Sequence, residues 1–324
     1  MLHAQQKPKV VRVQRELEGV GLASYALIVN PTSGRGKAPA KAAALRSALF
    51  DGGTLEVHET TGRGSAADLA ASLGRSVDGV IAVGGDGTLN EVLNGLLRSR
   101  QGRSGGAALG FLPAGTGNAA SLAFGFPADP SLAAQAILSA DPVAIDVGFA
   151  VSASWERAFL LWLGAGMDAV LISALDASRD STMGVGGLLG RAPEVLGALK
   201  RYTQPPIEVE VLGWPAEVFG SVIIANVGQI PFGGSVTDRA VPNDGLLNVV
   251  GLPAASLPRA LLRGRHLLFS SLSKARGVQE RMAETCLLDS EGTVPVQVDG
   301  EPIGVLPARV TVVRGGVRVL GSAL

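Results

Sequence analysis

Cysteine is all but missing from this chain: Cys286 stands alone among 324 residues, so no internal disulfide can form and a reducing, cytoplasmic setting is expected. Histidine is nearly as scarce, and His3, His58 and His266 are too scattered to suggest a metal site by ligand spacing. Charged residues make up 17% of the chain against a usual ~25%, and Lys+Arg 28 balances Asp+Glu 28, which leaves no net field for nucleic acid. No stretch reaches the ~18 uncharged apolar residues that a membrane span needs. Met1 to Glu18 lacks an apolar run ending in a small-residue cleavage site, so it does not read as a secretory signal. The expectation is a protein that meets membranes at most transiently and peripherally, at an inner surface.

What the chain has instead is glycine, 44 residues, about twice the ~7% of average proteins. Apolar residues reach 47% and the mean hydropathy is +0.32, which argues against disorder and for a large buried interior. A polar leader, residues 1–23, is expected to be poorly ordered. Short apolar runs then alternate with helical patterns: strands at Tyr25 to Val29, Thr54 to His58 and Gly79 to Val83, helices at Lys37 to Phe50, Ala66 to Leu73 and Thr88 to Leu97. Such alternation implies a parallel sheet with helices on both faces, and ligands beyond the carboxyl ends of its strands.

From about Asp146 the pattern changes to strand-like runs, Ala158 to Leu163, Ile207 to Val211, Val218 to Ala225, Leu246 to Val250, Val294 to Val298 and Arg309 to Val313. Turn signals at Asn243-Asp244-Gly245 and Asp299-Gly300 punctuate them, and helical stretches interrupt at Met167 to Lys200, broken by glycines and Pro193, and at Leu257 to Lys274. The fold class read from this is α/β plus β: a parallel-sheet α/β domain over 24–149, then an antiparallel β-sandwich-like domain over 150–324 whose extreme C-terminus returns to the first.

Three glycine-bearing loops follow strands of the first half, where backbone N–H groups and a helix N-terminus can meet a phosphate. The first, Asn30-Pro31-Thr32-Ser33-Gly34-Arg35-Gly36-Lys37, approaches a Walker A loop, but Pro31 replaces a glycine and Ala38 stands where Ser or Thr belongs. The second is Gly84-Gly85-Asp86-Gly87-Thr88-Leu89-Asn90-Glu91, the third Pro113-Ala114-Gly115-Thr116-Gly117-Asn118. Gly115 to Ala120 and Gly62 to Ala67 both fit the G-x-G-x-x-A template, yet neither lies at the first β/α turn, which speaks against a Rossmann dehydrogenase.

In order and spacing these loops resemble the diacylglycerol kinase catalytic domain family of lipid kinases, which also takes in sphingosine and ceramide kinases. Ile145-Asp146-Val147-Gly148, Asn243-Asp244-Gly245-Leu246 and Val298-Asp299-Gly300-Glu301 extend the resemblance from about Ser24 to the C-terminus. It implies transfer of the γ-phosphoryl group of ATP, with Mg2+, to a hydroxyl of diacylglycerol or a related lipid. Asn30, Pro31, Thr32, Ser33, Gly34, Thr60, Gly84, Gly85, Asp86, Gly87, Thr88, Leu89, Asn90, Glu91, Gly115, Thr116 and Asn118 fall at the implied nucleotide positions. Asp86 and Asp146 match acidic positions tied to the catalytic magnesium, and Glu301 the carboxylate taken as general base. Asp244, with the carbonyls of Val241 and Leu246, matches a structural magnesium site of some bacterial members. One position departs: Ala119 stands where bacterial diacylglycerol kinases usually carry Asp.

Plainer readings stand beside these. Asp299-Gly300 is also an ordinary hairpin turn, Asp146 a hydrogen-bonded structural residue, Asp244 a turn residue, and Cys286 a small core residue. A kinase of a soluble acceptor, as in NAD kinases, and a catalytically silent nucleotide- or lipid-binding protein are the rival functions. Within 257–276, Leu261, Leu262, Leu267, Leu268 and Phe269 alternate with Arg259, Arg263, Arg265, Lys274 and Arg276. The preferred reading is a helix packed on its own sheet with a solvated basic face, and the rival is a surface for an anionic membrane. The oligomeric state is open, a homodimer included.

Overall fold

Five apolar residues in a row, Tyr25 to Val29, are all buried, as the central strand of a doubly covered parallel sheet requires. The computed structural model describes residues 23–49, 54–100, 106–115, 117–139, 141–176, 192–230 and 234–321. The expected leader falls outside the described residues except for Ala23, and so does Thr116. The chain divides into two compact units, one running through Val143 and resumed at Val317, the other Ala144–Gly316.

In the first unit, β1 (Ser24–Val29) pairs in parallel with β2 (Thr54–Glu59) on one side and β3 (Gly79–Gly84) on the other. β4 (Ala108–Pro113) follows β3 in parallel, Val83 opposite Leu112, and the chain's late residues Val319 and Leu320 lie beside Leu109 and Gly110. Side chains alternate across the pleat, so Leu27, Val29, Ile81 and Val83 share one face. They pack with Leu45 and Leu49 of α1 (Ala38–Leu49) and with Ile137 of α5 (Pro130–Ser139). The opposite face belongs to α2 (Ser65–Leu73) and α3 (Asp86–Arg100), which pack against each other. Leu89, Val92, Leu93 and Leu96 of α3 are buried. A short α4 (Ala119–Phe124) precedes α5.

The second unit is a sandwich of antiparallel sheets. One sheet has the order β14 (Gln279–Ala283), β13 (Leu247–Leu252), β10 (Ser221–Ala225), β7 (Trp162–Ala165), β16 (Pro295–Val298), β17 (Glu301–Val305). The other joins β15 (Thr285–Asp289) to β8 (Ile207–Val211) and β9 (Glu217–Phe219), and to the early residues of β18 (Ala308–Leu320). β5 (Val143–Val151) pairs with β6 (Glu156–Phe159), and β11 (Gln229–Ile230) with β12 (Gly234–Ser235) in a separate two-stranded ribbon. Leu163, Ile224, Val249 and Val296 of the first sheet meet Phe159, Val209, Leu288 and Val310 of the second in one core. Cys286 lies in it, and burial pushes its thiol up to about 12.

Three sequence expectations needed adjusting. Ala158 to Leu163 is two strands, broken at Leu160-Leu161, and Val218 to Ala225 is likewise broken at Gly220. Met167 to Lys200, expected to be interrupted, does contain two helices, α6 (Met167–Asp176) and α7 (Ala192–Arg201), with 177–191 outside the described residues. In place of a helix to Lys274, α8 (Leu257–Phe269) stops at Phe269 and a turn of 3-10 helix follows at Leu272–Lys274.

Candidate functional site

β1 and β3 are neighbours, but the helix after β1 covers one face of the sheet and the helix after β3 the other. Their carboxyl ends therefore form a topological switch point, where the two connections diverge and leave a crevice. Asn30 continues the pairing by donating its N–H to Val83 O (3.0 Å), and Thr60 donates its N–H to Val29 O (2.9 Å). Asn30 then shapes the first loop: its Oδ1 accepts from Thr32 N (3.2 Å) and Thr32 Oγ1 (2.9 Å), and its Nδ2 donates to Thr88 Oγ1 (3.2 Å). Ser33 N–H donates to Asn30 O (3.1 Å). Pro31 and Ser33 are half-buried within this loop and Thr32 is exposed.

Two glycines let the loops touch. Gly34 has φ +61°, and a Cβ there would lie 2.2 Å from Ala114 O. At Gly115 a Cβ would lie 2.6 Å from the Cα of Gly85. The loops after β1, β3 and β4 thus meet backbone to backbone, a spacing that only missing side chains permit. Gly84 and Gly85 lead into α3 and Gly87 lies in its first turn, whose amides have no intrahelical acceptor. Lys41 fastens the end of β4, donating from Nζ to Pro113 O (2.7 Å) and Ala128 O (2.9 Å).

Asp86 opens α3, two residues earlier than the helix expected from Thr88. A carboxylate suits a helix first turn, and Leu89 N–H already reaches Gly85 O (3.1 Å). The Asp86 carboxylate accepts from Ala119 N (2.9 Å) and Ala120 N (3.0 Å), so it also holds the start of α4. Asn118 closes the third loop through Gly115 N (3.0 Å) and Gly115 O (2.8 Å). Leu89 and Asn90 turn their side chains inward, both 2% exposed. The Glu91 carboxylate accepts from Gly64 N (2.8 Å) and Ala66 N (3.1 Å) and so anchors the start of α2.

The remaining candidates lie in the second unit. Asp146, buried at 3% exposure, accepts from Gly245 N (2.6 Å) and Gly315 N (2.7 Å), while its own N–H donates to Pro242 O (2.7 Å). Asn226 Nδ2 adds a bond to Asp146 O (2.9 Å), so this aspartate ties together three separate segments of the unit. Asp244 is exposed on the turn it shares with Val241 and Leu246, its Oδ1 accepting from Leu246 N (2.9 Å). Among the described residues no three His, Cys, Asp or Glu side chains gather as a metal cluster. A cation at this turn would draw on oxygen from Asp244 and the Val241 and Leu246 carbonyls, a donor set that suits magnesium.

Glu301 follows the two-residue turn Asp299-Gly300, whose φ values of +49° and +84° match a type I′ hairpin. Its side chain is 13% exposed, with Arg157 Nη2 3.9 Å from Oε2. Asp299 serves the backbone instead. Its carboxylate accepts from Leu160 N (3.0 Å), Leu161 N (3.0 Å) and Trp162 N (3.1 Å), which is what separates β6 from β7.

Sequence reasoning passed over Lys41, Asp168 and Gln297. Asp168, in the first turn of α6, accepts from Gln297 Nε2 (2.6 Å), and Gln297 Oε1 accepts from Gly300 N (2.8 Å), beside Glu301. Burial raises the Asp168 carboxyl from 3.8 to about 6, against the lowering effect of the Gln297 bond. Part of Asp168 faces an apolar cavity of about 490 Å³ lined by Leu171, Leu199, Ile223, Leu252 and Leu267. The available signal was an acid three residues after the end of the wholly buried strand Trp162–Ala165.

These features define a parallel α/β unit whose three glycine loops meet at its switch point, carried on one chain with an antiparallel sandwich. Residues 24–150 match the diacylglycerol kinase catalytic domain, and residues 163–321 the YegS C-terminal NAD kinase beta sandwich-like domain. The chain is 30% identical to a protein named "Probable lipid kinase YegS-like" from Stenotrophomonas maltophilia (strain K279a), over 82% of its own length and 86% of the relative's. It is 28% identical to a diacylglycerol kinase of Bacillus subtilis (strain 168), over 85% and 91% of the two chains. Its fold is similar to the crystal structure of a diacylglycerol kinase from Bacillus anthracis str. Sterne, with TM-score 0.70, 22% identity, and 93% and 98% of the chains covered. The chain belongs to the diacylglycerol kinase catalytic domain family and is a lipid kinase.

Proposed function

We propose that the protein transfers the γ-phosphoryl group of ATP, with Mg2+, to a hydroxyl of diacylglycerol or a related lipid. The convergence of three glycine loops at the switch point carries this reading. Phosphoryl transfer asks a protein mainly for positioning and charge neutralisation. Backbone amides of Gly34, Gly85, Gly87 and Thr88 would receive the phosphates, with Asn30 to Ser33, Thr60, Gly84, Gly115 and Asn118 shaping the pocket. Glu91, Leu89 and Asn90 would support it from behind, since their side chains are already committed elsewhere.

Magnesium, when bound, screens the charge between the β- and γ-phosphates. Asp86 is the carboxylate we assign to hold it, since a carboxylate oxygen that accepts one amide can still ligate a cation. Asp146 would contribute from the second unit, by fixing Gly245 and Gly315. Asp244, Val241 and Leu246 would hold a second, structural cation. Glu301 would take the proton of the attacking hydroxyl, steadied through Gly300 by Gln297. The apolar cavity beside Asp168 supports a lipid acceptor, because it suits a hydrocarbon chain better than a soluble polar one.

Incubating the protein with labelled ATP, Mg2+ and a panel containing diacylglycerol, a sphingoid base and soluble acceptors tests the reading. Phosphorylated lipid is expected from the wild type and a loss of about a hundredfold or more in Asp86→Ala. Product confined to soluble acceptors, or none above the Asp86→Ala level, overturns it.

A further inference from the structure

Helix α8 turns only part of its apolar surface inward: Leu257, Ala260 and Leu267 are half-buried along the cavity beside Asp168, whose margin Leu261, Arg265 and Phe269 line while staying exposed. Pro258, Leu261, Leu262, Arg265 and Phe269 recur at i, i+3, i+4, i+7 and i+11, one stripe along the axis. All five are exposed, with Leu261 at 58%, Leu262 at 59% and Phe269 at 85%. Charged side chains normally occupy such a face, and here only Arg265 does, with Arg259 flanking it.

The charge around the stripe has one sign. Leu257 to Val278 contains Arg259, Arg263, Arg265, Lys274 and Arg276 and no Asp or Glu, in a chain whose net charge is zero. Arg263 is engaged with Pro253 O (2.7 Å) and Lys274 with Asp238 (2.6 Å). Among the described residues no acidic side chain pairs with Arg259 or Arg265. A helix of 13 residues is about 20 Å long, shorter than the ~30 Å hydrocarbon core, so it can lie in a membrane interface but not cross it.

We propose that α8 docks the protein on an anionic bilayer, lying in the plane of the interface with Leu261, Leu262 and Phe269 among the acyl chains. Arg259 and Arg265 meet the lipid phosphates. These cations select this occupant: they complement an anionic lipid surface, whereas an apolar stripe alone would fit any greasy partner.

The test uses the full chain without nucleotide, so failure of the kinase reading leaves its result intact. Sedimentation with vesicles of phosphatidylcholine alone is compared with sedimentation on equal parts phosphatidylcholine and phosphatidylglycerol. Binding is expected on the anionic vesicles and not on the neutral ones, weakening as salt is added. Leu262→Ser is expected to weaken it about tenfold, Arg259→Gln about fivefold, and Leu262→Phe to retain it. Both positions are exposed and lie outside the cavity, so thermal melts should coincide with the wild type. Absence of wild-type binding, equal binding to neutral vesicles, or unchanged binding in Leu262→Ser overturns the proposal. So does a sedimentation coefficient that drops in Leu262→Ser without vesicles, which would make the stripe an interface between two copies.

Discussion

Gly34 concentrates the demands of the site in one backbone position. Any side chain there meets both the left-handed φ and the carbonyl of Ala114, which lies where the Cβ would go. Gly34→Ala is expected to lower stability by about 2 kcal/mol and weaken ATP binding about tenfold or more, read by calorimetry. Unaltered ATP affinity would remove the first loop from the phosphate site. Asp168 gives a second prediction at this scale, in pH. Its carboxyl is raised from 3.8 to about 6, so between those values the folded chain holds a proton that the unfolded chain has lost. Its contribution to stability is full below about pH 4 and is lost as pH rises through 6, by up to about 3 kcal/mol. Asp168→Asn should therefore melt higher than wild type above pH 7 and level with it near pH 4. A difference independent of pH would refute the assignment.

Elements here are held by carboxylates that reach across long stretches of chain. Glu91 accepts from Gly64 and Ala66 at the start of α2, and Glu91→Ala should cost about 1–2 kcal/mol in urea unfolding. Asp299 satisfies three amides between β6 and β7, so Asp299→Ala should cost about 3 kcal/mol or more, with Asp299→Asn recovering part. A loss below about 1 kcal/mol would show that water replaces the carboxylate. These anchors also mark where reading the sequence stops. The alternation of β1 to β4 with their helices was legible because buried parallel strands and amphipathic helices each leave a local pattern. The break at Leu160-Leu161 was not, because the group that causes it lies 139 residues away from Leu160. Asp86 was recognisable within its glycine-rich string, but its hold on α4 depends on residues more than thirty positions later. For α8 the period was legible and the facing was not, since periodicity gives a stripe without saying what it meets.

Over the whole molecule, the chain leaves the first unit after Val143 and supplies that unit's outer parallel neighbour of β4 from Val319 and Leu320. Leu320 is 4% exposed and packs with Leu27, Leu45 and Ile137. A chain cut after Gly316 should bare the edge of β4, lower the melting temperature and bind ATP poorly, while keeping the β-rich circular dichroism of the sandwich. A truncated protein that binds ATP normally would contradict this. Cys286 provides a gauge of global unfolding: its thiol should react with an aromatic disulfide reagent only at the rate at which the sandwich opens.

The late return of Val319 and Leu320 also sets an order of events at the ribosome. A nascent chain emerges from its amino end, so the parallel sheet has four of its strands in hand while the whole of Ala144–Gly316 is still to come. Throughout that interval β4 offers an open edge, and open edges invite pairing with the wrong chain. The α/β half is begun before the sandwich and closed only after it, so its quality control waits for Val319 and Leu320.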